Sequence, residues 1–184
     1  MVVVCQTAGV SARAGSAFPA RAIDRLLPLS RHTLRVHRVA HKLYVKGHRP
    51  LAICVCDAWK LLTGIEVRPP AVIGDHVQFV HGQGVVIGAS AVIGAGTRIL
   101  QQVSVGNDGL TEDMPVIGRE VHLMAGAKLV GSVVIGDHAV VGANAVVTRD
   151  VPAGAIVAGA PARTIGWREG FGPDAGDEGR VSSI

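Results

Sequence analysis

Aromatic side chains are scarce in this sequence: Phe, Trp and Tyr together make up 3% of its 184 residues. An ordinary globular core uses such bulky rings to fill its volume. Because 48% of the residues are nevertheless hydrophobic and 24 residues are glycine, the apolar content is small and aliphatic. We therefore expect a thin interior that is built from small repeated layers.

Long apolar runs and a basic leader are also lacking. No run approaches the roughly 20 apolar residues of a membrane helix, and the apolar stretch 1–10 has no basic n-region of a secretory signal. The three cysteines Cys5, Cys54 and Cys56 are an odd number without zinc-like partners, which fits a reducing compartment. These absences predict a cytoplasmic protein that neither spans nor binds a membrane.

Positive charge is concentrated in one segment of the chain. Residues 13–49 carry nine Lys or Arg side chains against the single acid Asp24, so this segment is +8, whereas the rest of the chain is −4. A basic arm is one feature of nucleic-acid-binding proteins, but few aromatic residues accompany this one. We interpret it as a solvated helix face and expect no nucleic acid; attraction of an anionic cofactor or partner is the second interpretation.

A six-residue repeat is the dominant pattern of the sequence. The repeat places an aliphatic or Phe residue at these positions: Val67, Ile73, Phe79, Ile87, Ile93, Ile99, Val105, Ile117, Leu123, Leu129, Ile135, Val141 and Val147. A period of six fits neither an α-helix nor a hairpin meander. It is typical of a parallel β-helix in which three hexads close a coil of roughly 18 residues. The predicted fold class is mainly β: a left-handed parallel β-helix of hexapeptide repeats with a short N-terminal α-helical segment.

The repeat is interrupted at two places. Two extra residues lie between Phe79 and Ile87, and this interruption contains His81. Ile117 follows Val105 by twelve positions, twice the normal step, and the intervening segment forms either two irregular hexads or a loop extruded from the coil. Irregular segments of a rigid solenoid often carry its function. The two interruptions are therefore the candidate functional regions.

Helices are predicted before the repeat, over residues 30–46 and 51–62, because Pro and Gly bound two apolar-periodic segments. We predict three units: an N-terminal arm and helical segment at 1–64, the β-helix domain at 65–166, and a flexible C-terminal tail at 167–184.

Two pairs of side chains on these helices resemble ligand or redox motifs. His37 and His41 lie four residues apart and could share a metal ion, but no third ligand or Glu motif accompanies them. Cys54 and Cys56 point to different faces of a helix, which argues against a redox pair. We favour structural roles for the two histidines and expect no metal.

Five stretches match the motifs of one family: residues 37–44, 63–69, 81–88, 124–128 and 159–163. They resemble the serine O-acetyltransferase branch of the hexapeptide-repeat acyltransferases, over about residues 31–166. The resemblance implies an enzyme that moves an acetyl group from acetyl-CoA, its co-substrate, to the hydroxyl of a small molecule. It also implies a homotrimer or a dimer of trimers, and a link to cysteine biosynthesis.

The resemblance implies that His81 is the general base and that Glu66 orients it. An alcohol is a poor nucleophile at neutral pH, so a base must take its proton during attack. A carboxylate on one imidazole nitrogen fixes the tautomer and stabilises the imidazolium. The competing interpretations are a turn histidine satisfied by backbone and a surface carboxylate.

The resemblance also implies a CoA groove of small residues between neighbouring chains of a trimer. The matching positions are Gly106, Ala125 and Ala143, and the two alanines are 18 residues apart, so one lies a coil above the other. Asn107 stands where the family usually has a second Gly. Ordinary turn positions are the alternative interpretation.

The sequence departs from the family in the acceptor pocket. Val80 replaces the usual Asp before the catalytic His, and Asp113 and Met114 replace an Arg-His pair that holds the substrate carboxylate. Asp113 should repel a free carboxylate. We therefore expect an acceptor other than ordinary free serine, such as a modified hydroxy amino acid, a carrier-bound residue or a natural-product alcohol.

The last residue, Ile184, matches a further family feature. In the family a C-terminal Ile on a flexible tail docks into a PLP-dependent cysteine synthase, so such a partner is predicted. Two other functions stay open: a non-catalytic CoA-binding or regulatory partner of a cysteine-synthase-like enzyme, and a sugar or antibiotic O- or N-acetyltransferase.

Overall fold

Two helices stand before the coil in the computed structural model, which describes residues 28–172 and side chains from His32 onward. Helix α1 runs over Pro28–Val45 and helix α2 over Arg49–Thr63. Both predicted helices are confirmed within two residues at each end. Neither is long and apolar enough to cross a bilayer, and no other helix in the described part of the chain is.

Fifteen short strands follow the helices. They are β1 (Glu66–Val67), β2 (Val72–Ile73), β3 (Gln78–Phe79), β4 (Val86–Ile87), β5 (Val92–Ile93), β6 (Arg98–Ile99), β7 (Ser104–Gly106), β8 (Val116–Ile117), β9 (His122–Leu123), β10 (Lys128–Val130), β11 (Val134–Ile135), β12 (Val140–Val141), β13 (Val146–Val147), β14 (Ala155–Ala158) and β15 (Arg163–Trp167).

The strands stack into three parallel sheets, to which each coil contributes one strand in turn. Sheet 1 has the order β1-β4-β7-β10-β13, sheet 2 the order β2-β5-β8-β11, and sheet 3 the order β3-β6-β9-β12-β14. Strand β15 turns back and pairs antiparallel with β14. The coil is a left-handed parallel β-helix, as predicted.

The register of sheet 1 shows where the coil is irregular. Glu66, Val86, Ser104, Lys128 and Val146 pair in succession, so the coils contain 20, 18, 24 and 18 residues. The first coil has its two extra residues between β3 and β4, as expected. The third coil has six extra residues between β7 and β8. The second interruption is therefore an extruded loop, and both flanking strands keep their places in the sheets.

The core is a stack of aliphatic side chains inside the coil. Because side chains alternate along a strand, the second residue of each strand from β1 to β13 points inward. On sheet 1 these are Val67, which is 5% exposed, and Ile87, Val105, Leu129 and Val147, which are at most 1% exposed. Among the described residues, Phe79 is the only aromatic side chain in this core. The scarcity of rings reflects a narrow interior, as the composition predicted.

The helices close the open end of the coil. His37 donates from Nε2 to the carbonyl of Ala71 at 3.1 Å, and His41 donates from Nδ1 to that of Pro69 at 2.8 Å. Burial lowers the pKa of His37 to about 4, so its ring is neutral at neutral pH. Within residues 28–172 no group of three potential metal ligands is found. Through these bonds both histidines attach helix α1 to the first turn of the coil, between β1 and β2, which is a structural role.

Candidate active site

One stack of turns joins sheet 3 to sheet 1, and we call it the His81 corner. It contains residues 80–85, 100–103, 124–127 and 142–145. Each turn donates one backbone N–H to a carbonyl of the turn below, at 2.8 or 2.9 Å: Gly84 to Gly64, Gln102 to Gln83, Gly126 to Gln101 and Asn144 to Ala125. These bonds run from coil to coil, so backbone hydrogen bonds link the turns of the corner as they link the strands beside them.

His81 lies at the lower end of this corner. Its φ of 57° is in the left-handed region, which a non-glycine residue adopts at some energetic cost. The residue is exposed. It lines an open groove together with Gln83, Gly84, Gln101 and Gln102. The two-residue insertion thus places an imidazole in a groove whose other lining residues are uncharged.

Glu66 is the first residue of β1, three residues after the last residue of helix α2, and its side chain is 25% exposed. Its Oε2 lies 2.6 Å from Nζ of Lys60, while its backbone N–H bonds to the carbonyl of Val85 in the His81 corner. No hydrogen bond joins Glu66 to His81 among the described residues. The structure places the predicted acid and base in the same region, but the partner of the carboxylate is a lysine.

The second stack of turns joins sheet 1 to sheet 2, and we call it the loop corner. It contains residues 68–71, 88–91, 107–115, 131–133 and 148–150. The extruded loop is its third turn. A Cβ built on Gly88 would lie 2.6 Å from Cε of Met114, so the Met114 side chain packs directly on this glycine. Met114 is half-buried against the core and anchors the end of the loop.

The rest of the loop is held by its own side chains. Oδ1 of Asp108 accepts the N–H groups of Leu110 at 2.9 Å and Thr111 at 3.0 Å, and these bonds lower the pKa of Asp108. Asn107 donates from Nδ2 to the carbonyl of Thr111 at 2.9 Å. Leu110 is 88% exposed at the tip, and Asp113 is exposed as well.

The predicted site residues divide between the two corners. Val80, His81, Ala125 and Ala143 belong to the His81 corner, whereas Gly106, Asn107, Asp113 and Met114 lie at or in the loop corner. The strands of sheet 1 separate these groups. A single chain therefore does not bring the candidate base together with the candidate acceptor residues of the loop.

Comparison with known proteins identifies the family. A family model described as bacterial transferase hexapeptide (six repeats) matches residues 114–149. The chain is 40% identical over 137 residues to the serine acetyltransferase of Mycobacterium tuberculosis, in an alignment that covers 73% of this chain and 60% of the relative. It is 38% identical over 136 residues to the serine acetyltransferase of Helicobacter pylori strain J99, covering 73% of this chain and 80% of that relative. The chain belongs to the serine acetyltransferase family.

Solved structures of serine acetyltransferases share the fold. One such structure, a complex with CoA, superimposes with a TM-score of 0.72 at 33% identity, covering 74% of this chain and 57% of that one. The resemblance seen in the sequence motifs is thus confirmed. The chain spans 60% of the length of the M. tuberculosis serine acetyltransferase.

Sequence reasoning missed four residues of the site. Gln101 stands two positions after Ile99, just as His81 stands two positions after Phe79, and Gln102 comes next. The repeat could therefore have predicted that these glutamines lie in the coil that follows the imidazole. Gln83 directly follows the His-Gly pair. No pattern could have found Lys60, because its contact with Glu66 joins a helix end to a strand.

Proposed function

We propose that this serine acetyltransferase family member transfers an acetyl group from acetyl-CoA to the hydroxyl of serine or a related hydroxy compound. The observation that carries the proposal is His81, an exposed imidazole at a two-residue insertion in an otherwise regular coil, which lines an open groove. Family membership supplies the reaction class.

The last two turns of the His81 corner, residues 124–127 and 142–145, fit the pantetheine arm of CoA. Ala125 and Ala143 are small residues that lie one coil apart, in line with the groove at His81. In the part of the chain that the structure describes, their backbone N–H groups donate to no acceptor. They are therefore available to the amide carbonyls of a ligand. Bound acetyl-CoA supplies the reactive thioester.

Gly106 also fits a ligand site. A Cβ built there meets no atom within 4 Å, and the residue is not among those with positive φ. Neither packing nor backbone conformation inside one chain demands a glycine. We propose that the space above Gly106, with Asn107 beside it, receives CoA.

The proposed mechanism uses His81 as the general base. The imidazole takes the proton of the acceptor hydroxyl as its oxygen attacks the thioester carbonyl carbon. The C–O bond forms, the C–S bond breaks, and His81 returns the proton to the departing sulfur. The products are the O-acetyl ester and free CoA. Glu66 holds the tautomer and stabilises the transient imidazolium.

A matched pair of histidines tests this role. His76 is also exposed and has a φ of 59°, but it lies in a regular turn between β2 and β3, outside the His81 corner. With acetyl-CoA and L-serine or a serine derivative, His81→Ala should slow CoA release about 100-fold to 10,000-fold, whereas His76→Ala should not. CoA binding by calorimetry should persist in both. Wild-type protein that binds CoA but turns over no hydroxyl acceptor would instead support the non-catalytic alternative.

We propose that the preferred acceptor is a serine-like hydroxy compound whose carboxylate is masked. Val80 is apolar, Asp113 is an exposed acid, and Met114 is occupied by packing on Gly88. The wild type should therefore use L-serinamide better than L-serine, and Asp113→Arg should reverse this preference by placing a cation where the acid repels carboxylates. Turnover of L-serine equal to that of the amide in both proteins would refute this acceptor class.

We propose a homotrimer or a dimer of trimers as the active assembly. The His81 corner precedes the strands of sheet 1 and the loop corner follows them, so the two corners lie at opposite ends of these strands. A site that needs both corners is therefore completed by a neighbouring chain. A mixture of His81→Ala and a variant that lacks the loop residues 108–113 should then show activity that neither variant shows alone. A monomer by light scattering would reject this assembly.

The predicted cysteine-synthase-like partner depends on Ile184, which lies outside the described residues. This partner, the cytoplasmic location and the division into 1–64, 65–166 and 167–184 stay predictions.

A further inference from the structure

The ion pair between Lys60 and Glu66 is not used by the function proposed above. Lys60 Nζ lies 2.6 Å from Oε2 of Glu66, with the lysine side chain 51% exposed and the glutamate 25% exposed. The two groups are close enough for a direct charge-assisted hydrogen bond. Only one carboxylate oxygen is engaged, so Oε1 of Glu66 is left for a second partner.

The position of Lys60 is determined by the end of helix α2. Gly64 caps the helix with a φ of 70°, and its N–H donates to the carbonyl of Lys60 at 2.8 Å. The carbonyl of the same glycine accepts the N–H of Gly84 at 2.8 Å. The helix cap is therefore hydrogen-bonded to the first turn of the His81 corner. Lys60 is bonded to Gly64, Glu66 follows Gly64 by two residues, and Gly64 is bonded to the turn that contains His81.

We propose that Lys60 is a positioning residue for Glu66. It holds the carboxylate by Oε2 so that Oε1 can orient the imidazole of His81. The inference rests on the proposed function, because it assigns Glu66 the role of orienting the base. Attraction in a half-exposed pair is screened by water, so the gain comes from fixing the orientation of a flexible carboxylate.

A double-mutant cycle tests this inference. Lys60→Met should lower kcat about threefold to fivefold, the size of effect typical of a half-exposed ion pair, and leave the KM for both substrates within about twofold. In a Glu66→Gln background, Lys60→Met should have no further effect on kcat. Lys60→Arg should restore most of the rate. Lys46→Met, which removes an exposed lysine elsewhere, is the matched control.

Three outcomes would overturn the role of Lys60. An unchanged or higher kcat in Lys60→Met would mean that the lysine restrains Glu66 instead of presenting it. An equal loss in the Glu66→Gln background, with a raised KM for the acceptor, would mean that Lys60 contacts the substrate itself. A loss of melting temperature that parallels the loss of kcat would mean a purely structural contact.

The proposed function fails in a different way. If His81→Ala retains wild-type turnover, the assignment of the base is wrong. If His81→Ala and Glu66→Gln both lose activity but Lys60→Met does not, only the inference about Lys60 is wrong.

Discussion

The His81 corner and the loop corner are turns of one repeating coil, but they are held in different ways. In the His81 corner, backbone hydrogen bonds connect every coil to the next and reach down to the helix cap at Gly64. In the loop corner, the third turn leaves the coil and is ordered by its own Asp108 and by the packing of Met114 on Gly88.

The difference indicates how the two tasks are divided. General-base catalysis requires a precise geometry, so its imidazole stands on the rigid stack. The acceptor-facing residues stand on a loop whose contacts are local, and such a loop can change without disturbing the strands. The departures from the family in Asp113 and Met114 fall in this loop.

The largest expected effect adds a methyl group to the packed interior of the His81 corner. A Cβ on Gly82 would lie 2.5 Å from Cδ1 of the buried Ile65, whereas one on Gly109 in the loop meets nothing within 4 Å. Gly82→Ala should lower the free energy of unfolding by about 2–3 kcal/mol because it overpacks the interior. Gly109→Ala should lower it by about 1 kcal/mol, the cost of placing a side chain at a φ of 77°. Urea denaturation measures both. Equal losses would show that the two corners are equally tolerant.

The second prediction releases the loop from the coil. Met114→Ala should cost about 1–2 kcal/mol of unfolding free energy, less than the loss of a fully buried Met because the side chain is only half-buried. Cleavage of the loop by a protease should become faster. Leu110→Ala, at an 88% exposed position of the same loop, is the control and should change neither quantity. If cleavage of Met114→Ala is no faster, the packing on Gly88 does not hold the loop.

A third change separates ligand binding from stability. Gly106→Ala adds a methyl group in open space, so the melting temperature should stay within about 2 °C because no atom is displaced. If CoA occupies that space, its affinity measured by calorimetry should fall at least about tenfold, the lower end of the effect of one extra methyl or methylene group in a binding pocket. Unchanged affinity would remove Gly106 from the CoA site.

The smallest effect is a pH dependence confined to the loop. The folded loop lowers the pKa of Asp108 from its ordinary value of 3.8, because its carboxylate accepts two backbone N–H groups. The stabilisation is present above pH 3.8 and is lost as the pH falls through the lower, folded value. Amide exchange of Leu110 and Thr111 should accelerate there, while that of Gly126 should not change beyond the intrinsic rate. In Asp108→Asn this step should be absent; a step that persists would assign it to another group.

Much of the fold was predictable from the sequence because a solenoid repeats the same six-residue unit of strand and turn. The phase of the hexads identified the buried residues, and the count between Phe79 and Ile87 located the insertion that carries His81. The contacts of the site were not predictable in the same way. The bond from Lys60 to Glu66 depends on how helix α2 meets the first coil, which no repeat encodes.

The sequence by itself determined the coil, its narrow aliphatic core and the two interruptions, because hydrophobic phase and glycine placement act over six residues at a time. Only the tertiary structure decided that the second interruption is an extruded loop, that Met114 anchors it, and that the loop and His81 lie at opposite ends of the strands of sheet 1. Those outcomes depend on which turns stack on which corner, and stacking relates residues 18 or more positions apart.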